Sequence, residues 1–192
     1  MRRFVFLLFA IGLLAVVGQG QDWRAIDTAN STLTIRAYKS GLLSGLAHNH
    51  EIRARVAAGR VSLAPEAVEL KVETARLEVL DPGLAADKRA EIQQRMLGAE
   101  VLDTATYPVI SFSSQSVRKT GDNRWRVTGE LTLHGQTHPV SVEVTRAGDN
   151  FRGSAAVLQH EFGIKPVSVA GGAVKVKDQV AVEFDIRLAT QN

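Results

Sequence analysis

Alternation of apolar and polar residues dominates the chain from Trp23 onward. Leu33, Ile35 and Ala37, for example, alternate with polar residues. A period of two is typical of β-strands that bury one face. The other alternating sets are Ile52, Ala54 and Val56; Val68, Leu70 and Val72; Trp125, Val127, Leu131 and Leu133; Val140, Val142 and Val144; and Val180, Val182, Phe184, Ile186 and Leu188. The pattern predicts about eight strands.

One segment departs from this period. Residues 85–97 are rich in helix-forming residues, with Asp87 near the start and Ile92 and Met96 four residues apart. Gly98 follows directly and is a common helix terminator. A single helix is therefore predicted.

Three glycine-containing dipeptides separate the later strands: Gly121-Asp122, Gly135-Gln136 and Gly148-Asp149. Glycine suits hairpin turns because these turns require positive φ. Turns at all three sites predict a meander of four strands over residues 108–160.

The residue numbers of facing residues in these hairpins test the prediction, because the sum of the two numbers is set by the position of the turn. Facing residues in an antiparallel pair have a constant index sum and must lie on one side of the sheet. Two-residue turns would pair Phe112 with Leu131, Leu131 with Val140, and Val144 with Gly153, so that apolar residues share one face. Four-residue loops centred on the same dipeptides keep this parity, which leaves the loop length open.

Eight antiparallel strands with one apolar face close most economically into a barrel, which can hold one small ligand. The long strands expected at 124–134 and 177–188 favour a barrel over a filled β-sandwich. An outer-membrane barrel would carry aromatic girdles at its strand ends, and the few aromatic residues here do not cluster in that way.

The first 20 residues resemble a signal peptide. Arg2 and Arg3 precede an uncharged stretch over 4–17, and small residues surround Gln19. The apolar stretch is shorter than the roughly 18 to 20 residues of a membrane-spanning helix, so cleavage after Gly20 is favoured over a retained anchor. Residues 21–192 are then expected to form one periplasmic domain without stable membrane insertion.

Composition narrows the chemistry further. The chain has 23 Lys plus Arg, 20 Asp plus Glu and no cysteine, which excludes disulfides and thiolate chemistry. Arg2 and Arg3 account for two of the three excess positive charges. Without a basic block, nucleic acid is not an expected partner. Nothing in the sequence excludes a homodimer.

Five histidines raise a metal hypothesis. His48 and His50 would point the same way on a strand, and His160 could add a third ligand for zinc or copper. A metal-binding or redox-associated envelope module is therefore the alternative function, although polar residues at a strand start and a barrel rim are the favoured interpretation. His134 and His138 are predicted on opposite sides of the sheet.

No motif demands an enzyme. The chain contains no G-x-S-x-G elbow, phosphate-binding loop or H-E-x-x-H helix. The connection over residues 161–177 is longer than a hairpin turn. It could close a barrel mouth together with the helical region 81–106, or form an irregular excursion.

Several stretches in order resemble the YceI-like family of exported bacterial proteins. They are WRAID and Ser31; Leu102 and Asp103; Tyr107-Pro108; residues 110–114; VTGELTLHGQTHPV at 127–140; and EFGI at 161–164. The resemblance covers residues 23–188. It implies a lipocalin-like barrel that binds polyisoprenoid lipids without a cofactor, a metal or covalent chemistry. The histidine-containing stretch at 48–51 departs from the commoner family pattern.

The predicted function is non-enzymatic binding or transport of a polyisoprenoid or isoprenoid-quinone-like lipid. The resemblance implies only that the inward face of the strands contacts the ligand, because the ligand-lining residues of the family follow no strict motif. The residues expected to line the cavity are Phe112, Val127, Leu131, Leu133, Val142, Val182 and Phe184.

Overall fold

The predicted strands form one sheet in the computed structural model, which describes residues 22–42, 45 and 48–190. The strands are β1 Trp23–Ala25, β2 Thr32–Ser40, β3 His50–Leu63, β4 Glu66–Glu73, β5 Glu78–Val79, β6 Val109–Gly121, β7 Arg124–Leu133, β8 Gln136–Ala147, β9 Asn150–Leu158, β10 Ser168–Val169 and β11 Val174–Arg187. The signal peptide predicted at residues 1–20 lies outside the described residues.

Eight strands close the sheet into an antiparallel barrel. Their order is β3, β2, β11, β9, β8, β7, β6 and β4, and pairing between β3 and β4 completes the circle. The short strands β1 and β5 pair with β3, and β10 pairs with β11. The predicted eight-stranded barrel and its four-strand meander β6–β9 are therefore confirmed.

The first two hairpins of the meander differ from prediction in their turns. Phe112 faces Leu131 as expected, but extra residues in β6 at Gln115 and Thr120 shift the register towards the turn. Such bulges bend and twist a strand, which suits a closed barrel. Because of them the β6–β7 turn lies one residue later than predicted, at 122–123.

The predicted β7–β8 register is wrong by two residues. The turn consists of His134 and Gly135, with φ of 50° and 74°, and Leu131 faces His138, while Val140 faces Gly129. Two consecutive positive φ values are typical of a tight type I′ hairpin, which places glycine second in the turn. A shift of two preserves the inward and outward faces.

The β8–β9 register and the helix agree with the sequence. Val144 faces Gly153 across the predicted turn. The helix α1 spans Ala86–Leu97, and Gly98 is its C-cap. Ile92 and Met96 pack against the core of the barrel. No helix within residues 22–42, 45 and 48–190 is long and apolar enough to cross a membrane.

Two clusters of buried apolar residues lie on the inner side of the barrel. The larger packs against α1 and includes Val72, Val79 and Phe162. The smaller surrounds Val56 and Ile186. Residues of both clusters border the candidate site in the barrel interior.

Candidate functional site: an apolar cavity with a polar side pocket

A cavity of about 590 Å³ runs through the barrel interior. Its size is in the range of small-molecule sites, roughly 300–1,000 Å³. Alternating inward residues of all eight barrel strands form the wall, and almost all of them are apolar. The barrel therefore encloses an apolar cavity, and the filled sandwich considered as the alternative is wrong.

The structure places all seven residues predicted from parity on the cavity wall. They come from four strands: Phe112 of β6; Val127, Leu131 and Leu133 of β7; Val142 of β8; and Val182 and Phe184 of β11. Strand alternation thus brings them together around one space. Their contacts with a ligand remain a prediction.

Burial along the wall shows where the barrel is empty. Val72 and Val79, at the end covered by α1, are each 3% exposed. Phe112, Leu131 and Val182 also face inward but are only partly buried. Side chains that face an unfilled space retain accessible surface, so these three residues border an unfilled part of the barrel interior.

Two inward glycines help to keep this space free. A Cβ on Gly129 would approach the Phe112 ring to 2.6 Å, and one on Gly153 would approach the Phe184 ring to 2.6 Å. Each phenylalanine therefore lies over a position without a side chain, along the wall. This placement gives the cavity aromatic walls without blocking it.

The cavity is long and narrow. On β11 it is lined from Val176 to Ile186, which corresponds to about 33 Å of extended strand. With the usual strand tilt of a barrel, this distance is about 25 Å along the axis. A volume of about 590 Å³ spread over that length favours an extended chain over a compact ring system.

The helix α1 covers one end of the cavity. Ile92 and Met96 line it, and Ile164 and Val167 of the later connection contribute at the same end. Gln93 anchors the helix: its side chain accepts a hydrogen bond from the backbone N–H of Val79 and donates one to the carbonyl of residue 77, both 2.7 Å long. Both segments expected at a barrel mouth therefore lie there.

A polar pocket of about 440 Å³ adjoins this end. His50 lines both the polar pocket and the apolar cavity. The Nδ1 atom of His50 lies 2.6 Å from the carboxylate of Asp81, whose side chain is only 3% exposed. The same carboxylate accepts the backbone N–H of Glu51 at 2.8 Å. His50 is thus held at the junction of the two spaces.

Sequence reasoning missed the His50–Asp81 pair. The antiparallel pairing of β3 with β5 joins Ile52 to Val79, and the same index sum places Asp81 opposite His50. Asp81 has φ of 21°, an unusual value outside glycine. The Asp-Pro-Gly sequence at 81–83 is a turn signal that could have indicated this bend.

The three-histidine metal site considered from sequence is not formed. The described residues contain no group of three or more His, Asp or Glu residues that could hold a metal ion. His48 and His50 lie at the start of β3, whereas His160 follows β9, three strand spacings away in the barrel order. That separation is about 14 Å. His160 instead contacts Asp178 through Nδ1 at 2.5 Å.

The remaining two histidines lie near Phe162. The Nδ1 atom of His134 is 3.2 Å from the Phe162 carbonyl, and the His138 ring packs edge-on against the Phe162 ring. His138 faces Leu131 and not Leu133 as the sequence register implied. Together the two contacts hold the 159–162 turn, which contains Phe162, against the β7–β8 hairpin.

Ion pairs on the outer surface shift the pKa values of several carboxyl groups. Burial raises the pKa of Asp178, but hydrogen bonds from His160 outweigh it and the net pKa is lowered. A hydrogen bond from Arg24 lowers the pKa of Asp149 below its usual range. This second pair ties β1 to the β8–β9 turn. Both pairs lie away from the cavity wall.

Comparison with known proteins agrees with this architecture. A family model described as a YceI-like domain matches residues 25–188. A UPF0312 protein of Pseudomonas savastanoi pv. phaseolicola is 32% identical over 111 residues, which are 53% of this chain and 55% of that protein. Protein YceI of Escherichia coli O17:K52:H18 is 40% identical over 79 residues, 40% of this chain and 41% of that protein. The chain thus spans about half the length of the curated relatives it matches.

Solved structures show the same fold. Burkholderia cenocepacia BcnA has a TM-score of 0.64 and 21% sequence identity, with coverage of 86% of this chain and 99% of BcnA. At this identity the likeness shows the fold alone. Together with the family model, which covers the entire barrel, it establishes the relationship predicted from the sequence motifs. The chain belongs to the YceI-like family.

Proposed function

We propose that the protein binds and carries a long isoprenoid chain, either a polyisoprenoid or the tail of an isoprenoid quinone, without catalysing a reaction on it. The observation that carries this proposal is the elongated apolar cavity, which has no conspicuous polar group along its middle. Contacts with such walls are non-directional, so they suit a hydrocarbon chain and position no reactive atom.

The size of the cavity supports a chain of moderate length. A methylene-sized group occupies about the volume of one water in the liquid, about 30 Å³, so the cavity accommodates on the order of 20 such groups. That corresponds to about four isoprene units. Burial at about 0.8 kcal/mol per group gives on the order of 16 kcal/mol before association and ordering costs of about 4–15 kcal/mol. The balance favours binding by about 1–12 kcal/mol.

The cellular context is part of the proposal. The signal-peptide features of residues 1–20 support a periplasmic location, where a soluble carrier could shield an apolar lipid from water. The near balance of charges over residues 21–192 supports lipid over nucleic acid as the partner. A homodimer stays a prediction, which light scattering of the purified protein checks.

Lipid extraction tests the function directly. Protein purified from its native host is extracted with organic solvent, and the extract is analysed by mass spectrometry. We expect a co-purified isoprenoid chain. Protein that carries no lipid and also fails to bind added geranylgeraniol, a twenty-carbon isoprenoid alcohol, would contradict the proposal.

A matched pair of variants locates the binding site. Val142 lines the cavity, whereas its neighbour Ser141 is exposed on the outer face of β8. Val142→Trp should obstruct the cavity and abolish the co-purified lipid, while Ser141→Trp should retain it. Equal lipid content in two folded variants would place the lipid elsewhere on the protein.

A further inference from the structure

The polar pocket next to the cavity has a composition that selects headgroups. We propose that it receives the headgroup of the bound lipid, that His50 accepts a hydrogen bond from a neutral hydroxyl group there, and that anionic phosphate headgroups are excluded. This inference rests on the proposed function, because it concerns the polar end of the same ligand.

The first argument is position. His50 is shared by the two spaces, so an amphipathic molecule can place its chain in the apolar cavity and its polar end in the pocket. Polar side chains of the pocket include Arg36, Tyr38 and Asn49, and the 82–84 turn supplies its apolar surface. A cavity that is apolar along its length and polar at one mouth matches a chain with a single polar end.

The second argument is the orientation of the imidazole. Asp81 is buried and lies 2.6 Å from Nδ1 of His50, so in the neutral form of the imidazole the proton lies on Nδ1. Nε2 is then an acceptor, and it has no hydrogen-bond partner among the residues that the structure describes. A ligand whose chain lies in the apolar cavity can donate a hydrogen bond to Nε2 if its polar end is an alcohol or a quinol hydroxyl.

The third argument is charge. The pocket contains one arginine, Arg36, against the two carboxylates of Glu51 and Asp81. The guanidinium of Arg36 already forms ion pairs with Glu51 at 2.5 Å and with Glu183 at 3.5 Å. With His48 and His50 in their neutral forms, a phosphate would meet one excess negative charge in the pocket and would offer only acceptor oxygens to the Nε2 acceptor. The pocket therefore disfavours prenyl phosphates and admits neutral hydroxyl groups.

Binding of three ligands with the same twenty-carbon isoprenoid skeleton tests the inference. The probes are geranylgeraniol, geranylgeranyl diphosphate and the hydrocarbon phytane, each measured by displacement of a fluorescent apolar dye from the delipidated protein. We expect the wild type to bind the alcohol at least tenfold more tightly than the diphosphate. A reduced short-chain quinol serves as a fourth probe and distinguishes a phenolic hydroxyl from an alcohol.

His50→Ala should weaken geranylgeraniol binding roughly tenfold, as expected for loss of one buried hydrogen bond, and leave phytane binding unchanged within twofold. Asp81→Asn, which alters the partner that orients the ring, should have a similar selective effect. His160→Ala is the matched control, since His160 also pairs with an aspartate but does not line the cavity. It should bind all probes as the wild type does.

The results separate the two proposals. If no probe displaces the dye, the proposed lipid-binding function fails. If all probes bind but His50→Ala and His160→Ala behave alike, or if the diphosphate binds more tightly than the alcohol, only the headgroup inference is overturned. Side-chain ¹⁵N NMR adds a direct readout, in which Nε2 of His50 and not of His160 should shift when geranylgeraniol is added.

Discussion

Substitution of Ala155 by leucine tests whether the barrel interior is empty, because the two possibilities predict stability changes of opposite sign. Ala155 lies on β9, faces inward, and pairs with Val142 on one side and Val182 on the other. All three residues line the cavity. A larger side chain at this position therefore projects into the middle of the space.

The magnitude follows from the added atoms. Leucine adds three carbons to alanine, which at about 0.8 kcal/mol each gives an upper limit of about 2.4 kcal/mol for complete burial. Because residues on this part of the wall stay partly accessible, about half of that value is realistic. We expect Ala155→Leu to raise the free energy of unfolding of the delipidated protein by about 1–2 kcal/mol. A filled core would instead be destabilised by about 1–3 kcal/mol through overpacking.

The assay is urea unfolding of delipidated protein, with Ala156→Leu as the matched control on the exposed face of the same strand. The control carries the same change in β-propensity without entering the cavity. Ala155→Leu should also weaken geranylgeraniol binding roughly tenfold or more, since it occupies space that the chain needs. Destabilisation of Ala155→Leu relative to Ala156→Leu would refute the existence of the cavity.

Three further predictions concern its surroundings. Gln93→Ala removes both hydrogen bonds that anchor α1, so it should cost about 1–3 kcal/mol of unfolding free energy and accelerate lipid release in stopped-flow dye exchange, unlike Gln94→Ala. Gly153→Ala should destabilise the protein by about 1–3 kcal/mol in urea, because a Cβ there would lie 1.9 Å from a backbone oxygen of β8 and 2.6 Å from the Phe184 ring. Arg24 lowers the pKa of Asp149, so this pair stabilises the fold above the usual pKa of 3.8 and loses its effect as pH falls through the lowered value. The urea midpoint of Asp149→Asn should thus lie below that of the wild type at pH 7 and match it near pH 2, and a difference that does not change with pH would contradict this.

The sequence predicted the barrel because each strand encodes its own inner face. The parity of Phe112 and Leu131 identifies the inward side without knowledge of distant contacts, and a register error of two residues leaves that side unchanged. For this reason the seven lining residues could be named although the β7–β8 turn was misplaced. The difference arises at His134, whose positive φ is uncommon for a residue with a side chain and is not indicated by the sequence pattern.

The polar pocket could not be predicted in the same way. His50 and Asp81 are 31 residues apart, and their contact depends on the two-residue strand β5 following β4 back to the start of β3. Such a short strand has too little alternation to be identified from its pattern. The sequence therefore favours a polar role for His48 and His50 at a strand start and barrel rim, with metal binding as the alternative, and neither interpretation includes the carboxylate of Asp81 beyond β4.

The structure also indicates how the proposed lipid could enter a barrel whose eight strands form a closed circle. Separation of two neighbouring strands would break a continuous ladder of hydrogen bonds, which runs along β9 and β11 from Gln179 to Arg187. The helix α1, in contrast, has no fully buried residue and is held by Ile92, Met96 and the two hydrogen bonds of Gln93. Elements with few buried contacts open at the lowest free-energy cost. Movement of α1 is accordingly the expected route for exchange, and it would open the same end of the cavity at which His50 meets the polar pocket, so that a chain could enter tail first and leave its headgroup at this mouth.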